Sequence, residues 1–238
     1  MAESALKTGA QTYSSAIETA ENYTRWILGN FEPYLGRRIL EVGLGHGGYR
    51  RFLPPGAQYI GLDIDPVSVA AAQDRNPADR YVIADVTDAE ALAPLRTTTI
   101  DSVLCINVLE HIDQDGKAAE NLLALLRPGG HLLILVPAFS SLYSDLDRMA
   151  GHVRRYILRD ATRLAGSDGQ IVLCRYFNAV GGLGWFVNKA FRHSSLDSGA
   201  VNAQIQVFDR FVVPLARAVD LLARPFFGQS MICVIRKP

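Results

Sequence analysis

Short apolar runs alternate with amphipathic segments along most of this chain. Residues 13–31 carry apolar side chains at helical spacing, and an apolar run at residues 39–42 ends at Gly43. The spacing predicts a helix and then a buried strand. Pro33 and Gly36 break the pattern between these two elements.

The alternation continues as far as residue 136. Further strands are predicted at 59–62, 81–84, 100–106 and 131–136, and helices at 67–73, 89–95 and 117–126. Strands that alternate with helices form a parallel sheet covered by helices on both faces. The pattern therefore predicts an α/β fold.

Beyond residue 137 the pattern is looser. It still predicts helices at 159–164 and 208–222 and strands at 171–177 and 231–235. We expect the apolar helix at 208–222 to pack on the sheet rather than to contact a membrane. Because no linker, repeat or low-complexity tract interrupts the chain, we expect one domain over 1–238. Residues 1–35 would form an N-terminal helical cap, and residues 178–207 an insertion.

Composition excludes several classes of protein. Lys and Arg together number 24, Asp and Glu also 24, and 49% of the residues are hydrophobic. A neutral chain of this kind does not favour nucleic-acid binding. The three cysteines are odd in number and far apart, which favours a reducing compartment and offers no zinc spacing. The polar N-terminus and the lack of a long apolar stretch predict a cytoplasmic protein without membrane insertion.

The sequence after the first strand is rich in glycine. Gly43, Gly45 and Gly48 fit the dinucleotide-binding pattern, whereas Gly43, Gly45 and Gly47 fit the pattern that binds S-adenosylmethionine (SAM). In both cases glycines let the backbone turn sharply and approach a ligand at the start of a helix. We expect a helix directly after this loop.

Three carboxylates help to distinguish the two ligands. Glu41 would repel a pyrophosphate, but it suits the ammonium group of a SAM tail. Asp63, with Asp65 as its competitor, can accept the ribose hydroxyls of either ligand. Asp85 ends the third strand, where it can accept from an adenine amine. A nicotinamide-dependent dehydrogenase remains an alternative, which Glu41 and Asp85 disfavour.

Taken in order, the motifs resemble those of the class I SAM-dependent methyltransferases. The resemblance covers residues 20–178, and its motifs are ILEVGLGHG at 39–47, YIGLDID at 59–65, ADV at 84–86, NVLEHI at 107–112 and LRPGGH at 126–131. It implies a Rossmann-like, mostly parallel seven-stranded sheet whose last strand is antiparallel.

The resemblance also implies roles for individual residues. Gly43, Gly45 and Gly47 would line the methionine tail of SAM. Asp63 would bind ribose and Ile64 would pack on adenine. The side chain of Asp85 and the amide of Val86 would contact the adenine edge, and Asn107 would face the methionine end.

The C-terminal part is similar to one bacterial subgroup of this family. The similar segments are LDRMAGHVRRY at 146–156, YFN at 176–178, GW at 184–185, FDR at 208–210 and GQS at 228–230. No single reaction is shared by that subgroup, so it names no substrate beyond a small molecule, and no oligomeric state follows from it.

Four residues are candidates for groups near the reacting atoms. Tyr176 and Asn178 end the sixth strand, His152 follows the fifth, and Tyr13 lies on the N-terminal helix. Carboxyl ends of strands are where open α/β sheets bind ligands. For Trp26, on the same helix as Tyr13, core packing is the favoured role.

Charged residues near these candidates have structural alternatives. Arg154 and Arg155 either recognise an anionic substrate or pair with Asp145 and Asp147. For the adjacent pair Glu110 and His111 we favour a structural role over acid–base chemistry. No three or four ligands stand at metal-binding spacing, so we predict no metal site.

Two reactions suit this cofactor. The main hypothesis is methyl transfer from SAM to a small-molecule acceptor by in-line displacement. The alternative is cyclisation of SAM to azetidine-2-carboxylate with release of methylthioadenosine, which needs only alignment of a different carbon.

Overall fold

The computed structural model describes residues 20–45, 47–189, 203 and 205–238. Residues 1–19 of the predicted cap, with Tyr13, and residues 190–202 and 204 of the predicted insertion therefore lie outside the described residues. The strands are β1 (Arg38–Val42), β2 (Gln58–Asp63), β3 (Arg80–Ile83), β4 (Ile100–Ile106), β5 (Leu126–Pro137), β6 (Gln170–Phe177) and β7 (Ser230–Arg236). The α-helices are α1 (Glu21–Phe31), α2 (Pro66–Arg75), α3 (Ala93–Arg96), α4 (Asp115–Leu125), α5 (Asp145–Ala150), α6 (Asp160–Ala165), α7 (Ala179–Asn188) and α8 (Val213–Ala223).

All seven strands form one sheet in the order β3-β2-β1-β4-β5-β7-β6. Neighbours among β1 to β5 pair in parallel, and β7 inserts antiparallel between β5 and β6. The predicted α/β class and the antiparallel last strand are confirmed. Because the strand order reverses at β1 and β4, the carboxyl ends of these strands flank the crevice in which such sheets bind ligands.

Apolar side chains fill both faces of the sheet. On one face Leu40 packs in a cluster with residues of α4 and α6, such as Leu122 and Leu164. On the other face Ile39 packs in a cluster with α1 and α8, including Trp26. Burial on both faces explains why the strands are continuous apolar runs.

Two helix predictions near the first strands were wrong. No α-helix follows the glycine loop in the described residues before β2, where one 3₁₀ turn (Arg50–Phe52) stands instead. Gly47 and Gly48 disfavour a helix start, and Pro54 ends any helical run. The helix predicted at 89–95 is only α3, because Asp88 caps a turn through the amide of Glu90.

The chain following α4 also differs from the prediction. Leu125 ends the helix, and residues 126–130 already belong to β5 rather than to a connecting turn. The helix predicted at 208–222 begins with a π-helical turn (Phe208–Val212) and continues as α8. Pro214 has no amide hydrogen to donate to the preceding turn, which is consistent with the wider π turn before α8.

The helix α8 was expected to pack on the sheet, and one of its faces does so. Val213 and Ala216 are buried in the core, as predicted, whereas Leu215 and Leu222 are exposed. Within the described residues, none of the helices combines the length and the apolar character that a membrane crossing requires.

Candidate functional site

The glycine loop has the backbone that only glycine adopts readily. Gly43, Gly45 and Gly47 all have positive φ, at 68°, 49° and 72°. A Cβ at Gly43 would stand 2.3 Å from Val108 Cγ2, in the segment after β4. Position 43 thus requires glycine for both its conformation and its close contact with the neighbouring strand end.

Asp63 fastens this loop to the end of β2. Its two carboxylate oxygens accept hydrogen bonds from the amides of Gly45 (3.1 Å) and Asp65 (2.9 Å). Burial raises the pKa of Asp63, and these backbone bonds act against that rise. Asp65 instead caps α2 through the amide of Val67. The geometry favours Asp63 over Asp65 as the carboxylate at the loop.

Glu41 is almost fully buried at the end of β1. Its Oε2 accepts from the hydroxyl of Tyr59 at 2.8 Å, while its Oε1 has no hydrogen-bond partner. Burial raises the pKa of Glu41 to about 8, with Tyr59 acting in the opposite direction. A buried oxygen without a partner suits a cationic group brought by a ligand.

The residues expected around adenine surround the ends of β2 and β3. The side chain of Ile64 is 46% exposed, so an apolar face is available next to Asp63. Asp85 is exposed and accepts from the amide and hydroxyl of Thr87. Asn121 of α4 donates to the carbonyl of Val86 at 2.9 Å and thereby fixes this segment.

Three non-glycine residues have positive φ, and each follows a strand end within the described residues. They are Asn107 after β4, Phe139 after β5 and Asn178 after β6. Strained backbone of this kind concentrates at functional sites. Asn107 is exposed, and its backbone amide donates to the carbonyl of Leu135 on β5, which fixes it at the carboxyl end of β4 beside the crevice.

Several known proteins are similar to this chain in sequence. A family model for a methyltransferase domain matches residues 40–134. Malonyl-[acyl-carrier protein] O-methyltransferase of Enterobacter lignolyticus is 31% identical over 145 residues, which are 57% of this chain and 56% of that protein. The chain covers between 38% and 56% of the first curated relatives that it matches.

Solved structures share the fold over nearly the whole chain. The N-methyltransferase NodS of Bradyrhizobium japonicum, in complex with S-adenosyl-L-homocysteine, has a TM-score of 0.54 at 15% identity, covering 92% of this chain and 87% of that one. The [4+2]-cyclase SpnF has a TM-score of 0.59 at 18% identity, covering 92% and 80%. The chain is similar in sequence to methyltransferases over residues 40–134 and shares the fold of SAM-dependent methyltransferases.

The candidates Tyr176 and Asn178, at the end of β6 and directly after it, are both buried. Tyr176 stacks on Phe139, with ring centroids 4.5 Å apart, and Phe139 also stacks on Phe227. Asn178 caps α7 by accepting from Gly181, and its amide donates to Gln229 at 2.8 Å. These bonds occupy the Asn178 side chain and favour a structural role for it, whereas Tyr176 lies in an aromatic wall at the carboxyl edge.

His152 belongs to a buried network of charges. Its Nδ1 is 2.8 Å from Asp147, and Asp147 also accepts two bonds from Arg155. Bonds from His152 and Arg155 hold the pKa of Asp147 at about 2 although burial alone would raise it. Glu110, 3.9 Å from His152 Nε2, has a pKa raised to about 7 by burial.

Arg154 and Arg155 both have partners within the protein. Arg155 pairs with Asp147, as one prediction held, but Arg154 pairs with Asp115 rather than Asp145. Asp115 also accepts from the hydroxyl of Tyr156. Both guanidinium groups are thereby engaged, which favours the structural alternative over anion recognition.

Trp26, on α1, packs in the core as predicted. Its ring lies 4.4 Å from that of Phe177, and both side chains are buried. Tyr23 lies 5.9 Å from the same ring. Burial raises the pKa of the Tyr23 hydroxyl to about 12, so it is a hydrogen-bonding group rather than a base.

The sequence did not predict the hydrogen-bond partners that hold the candidate residues in place. Tyr59 holds Glu41 from a neighbouring strand, and Asp115 gathers three side chains from 39 to 48 positions away. Neither has a local signal, because such contacts depend on strand register and helix packing rather than on spacing along the chain.

Proposed function

We propose that this protein catalyses methyl transfer from SAM to a small-molecule acceptor in the cytoplasm. Similarity to methyltransferases and the conformation of the glycine loop support SAM as the cofactor. The observation that carries the proposal is the buried Glu41 carboxyl, whose free Oε1 lies at the end of the strand that leads into the loop. It disfavours a pyrophosphate and suits an ammonium group.

Specific residues would hold SAM along the crevice. Gly43, Gly45 and Gly47 give the backbone room, and Glu41 and Asn107 provide polar groups for the methionine end. The remaining contacts would come from the residues at the ends of β2 and β3, namely Asp63, Ile64, Asp85 and Val86. When bound, SAM supplies a methyl group already activated by its sulfonium.

The protein then has to position the acceptor and exclude water. In-line displacement needs the reacting atoms at about 3–3.5 Å, so alignment provides most of the rate enhancement. We assign Tyr176 first to the acceptor side, because its ring forms the aromatic wall with Phe139 and Phe227. His152 is the second candidate, ahead of Asn178 and Tyr13.

The cytoplasmic location and the choice of acceptor rest on composition. A net charge of zero disfavours a polyanionic substrate, and three unpaired cysteines suit a reducing compartment. We therefore favour a small molecule over nucleic acid as the acceptor.

Calorimetry of SAM binding tests the proposal. Asp63→Ala should weaken SAM affinity about 10–100-fold, because charge-assisted bonds to the ligand and the support of Gly45 are both lost. Asp74→Ala, an exposed change on the neighbouring helix α2, is the matched control and should leave affinity unchanged. Failure of the wild-type protein to bind SAM, or equal affinity in Asp63→Ala, would refute this assignment.

A further inference from the structure

Three potential metal ligands meet beyond the end of β4. One ligand atom from each of Glu110, His111 and His152 lies within 4.8 Å of the other two. Glu110 and His111 belong to a 3₁₀ turn (Leu109–His111), whereas His152 comes from the segment after α5, about 40 positions away in the chain. The fold alone brings them together.

Glu110 has an unused carboxylate at the centre of this group. Its side chain is completely buried, and neither Oε1 nor Oε2 has a hydrogen-bond partner. Its hydrogen bonding is confined to the backbone, where the carbonyl accepts from the amide of Val153 at 2.8 Å. A buried carboxylate with both oxygens unpaired is costly unless a cation compensates it.

His152 is oriented as metal-binding histidines are. Its Nδ1 is 2.8 Å from Oδ1 of Asp147, an ionised carboxylate, so Nδ1 donates and Nε2 is left facing Oε1 of Glu110 at 3.9 Å. A carboxylate behind the second ring nitrogen is the usual support of a ligating imidazole. Arg155 and Ser144 hold Asp147 in place through further hydrogen bonds.

His111 is the third potential ligand. Its ring meets that of His152 edge to face, with centroids 4.8 Å apart. Both rings are partly buried, so the group is shielded but can be reached from solvent. At tetrahedral angles and with bonds of about 2.0–2.2 Å, the ligand atoms of one ion stand about 3.3–3.6 Å apart. The three side chains would therefore move together by about 1 Å or slightly more when an ion binds.

We propose that Glu110, His111 and His152 bind one divalent transition-metal ion. Two imidazoles and one carboxylate favour Zn²⁺, Fe²⁺, Co²⁺ or Mn²⁺ over Ca²⁺ and Mg²⁺, which prefer oxygen ligands alone. Three protein ligands leave positions open for water or another ligand. The site is independent of the proposed function, because ion binding is measured without SAM.

Titration of the full-length protein with Zn²⁺ tests the site. After treatment with a chelator and its removal, the wild-type protein should bind one equivalent. Glu110→Gln and His152→Asn should each weaken Zn²⁺ binding at least about 100-fold, since changes behind a ligand already cost about 10–100-fold. Glu120→Gln, exposed on α4, and His131→Asn, on β5, are matched controls and should bind like wild type.

A second measurement on the wild-type protein covers variants that fail to fold. In ¹⁵N-labelled protein, one equivalent of Zn²⁺ should shift the ring nitrogens of His111 and His152, out of five histidines in the chain. Absence of Zn²⁺ binding, or binding with unshifted His111 and His152 resonances, would overturn the proposal. Failure to bind SAM would instead count only against the proposed function.

Discussion

Tyr59 on β2 donates its hydroxyl hydrogen bond to Oε2 of Glu41 on β1 at 2.8 Å, while Oε1 of the same carboxyl has no partner. The two strands pair in parallel, and their register sets Tyr59 opposite Ile39, two positions before Glu41, so that both side chains lie on the same face of the sheet. The bond fixes the Glu41 side chain at the base of the glycine loop. The carboxyl is therefore positioned before any ligand binds and retains one oxygen to offer.

Glu41 should make stability depend on pH. Its pKa is raised from 4.5 to about 8 by burial, so between these values the folded protein keeps a proton that the unfolded chain loses. Stability from this group is complete below about pH 4.5 and falls as pH rises, by up to about 1.4 kcal/mol per pH unit, until about pH 8. Glu41→Gln should remove that part of the slope.

Urea denaturation at pH 5, 6.5 and 8 measures this slope. The exposed change Glu120→Gln should retain the wild-type pH dependence. If the stability of Glu41→Gln and that of the wild-type protein fall equally between pH 5 and pH 8, the prediction is wrong. Glu41 would then be ionised over this whole range, with its buried charge stabilised by other groups.

Gly43 should tolerate no side chain. Gly43→Ala places a Cβ 2.3 Å from Val108 and forces alanine to φ +68°, so we expect a loss of about 2–4 kcal/mol in the free energy of unfolding. Gly48→Ala is the control in the same loop, because no atom lies within 4 Å of its added Cβ. It should change stability by less than about 1 kcal/mol. Equal effects in chemical denaturation would show that the loop has a different conformation.

Asn178 offers a test of structure against catalysis. Its φ is 61°, and its side chain caps α7. Asn178→Gly keeps the backbone conformation but removes the helix cap, which should lower the free energy of unfolding by about 1 kcal/mol or less. Asn178→Ala removes the cap and also adds backbone strain of about 1–2 kcal/mol. If the role is structural, both variants should retain turnover below their melting temperatures. A large loss of kcat in the stable glycine variant would restore Asn178 as a catalytic residue.

Incubation of the purified protein with SAM distinguishes methyl transfer from cyclisation. For a methyltransferase, SAM alone should stay nearly intact, and S-adenosylhomocysteine should form only when an extract supplies the acceptor. For a cyclase, methylthioadenosine should accumulate from SAM alone, because the amine of SAM is itself the nucleophile. Mass spectrometry distinguishes the products, and enzyme-dependent methylthioadenosine would overturn the proposed methyl transfer.

Tyr176→Phe, assayed with the acceptor, tests the aromatic wall. Removal of the hydroxyl leaves the stacking with Phe139 unchanged. If the hydroxyl contacts the acceptor, kcat/KM should fall about 10-fold or more, the value of one hydrogen bond to a reacting group. Unchanged kinetics with unchanged stability would limit Tyr176 to packing.

Elements that have a local cause could be predicted from the sequence. Apolar runs of four to seven residues placed all seven strands, because strands covered on both faces contain few polar positions. Glycines 43, 45 and 47 marked the loop, since positive φ excludes most other residues. The order of strands and helices then predicted the α/β class.

Tertiary structure decided what depends on contacts between distant segments. The sequence alone predicted a helix after the loop, left Arg154 without its partner Asp115, and gave no reason to group His152 with Glu110. Strand register set Tyr59 beside Glu41, and packing around α5 carried His152 to the end of β4. Contacts of this kind form only when helices pack on both faces of the complete sheet. The spacing of residues along the chain therefore does not predict them.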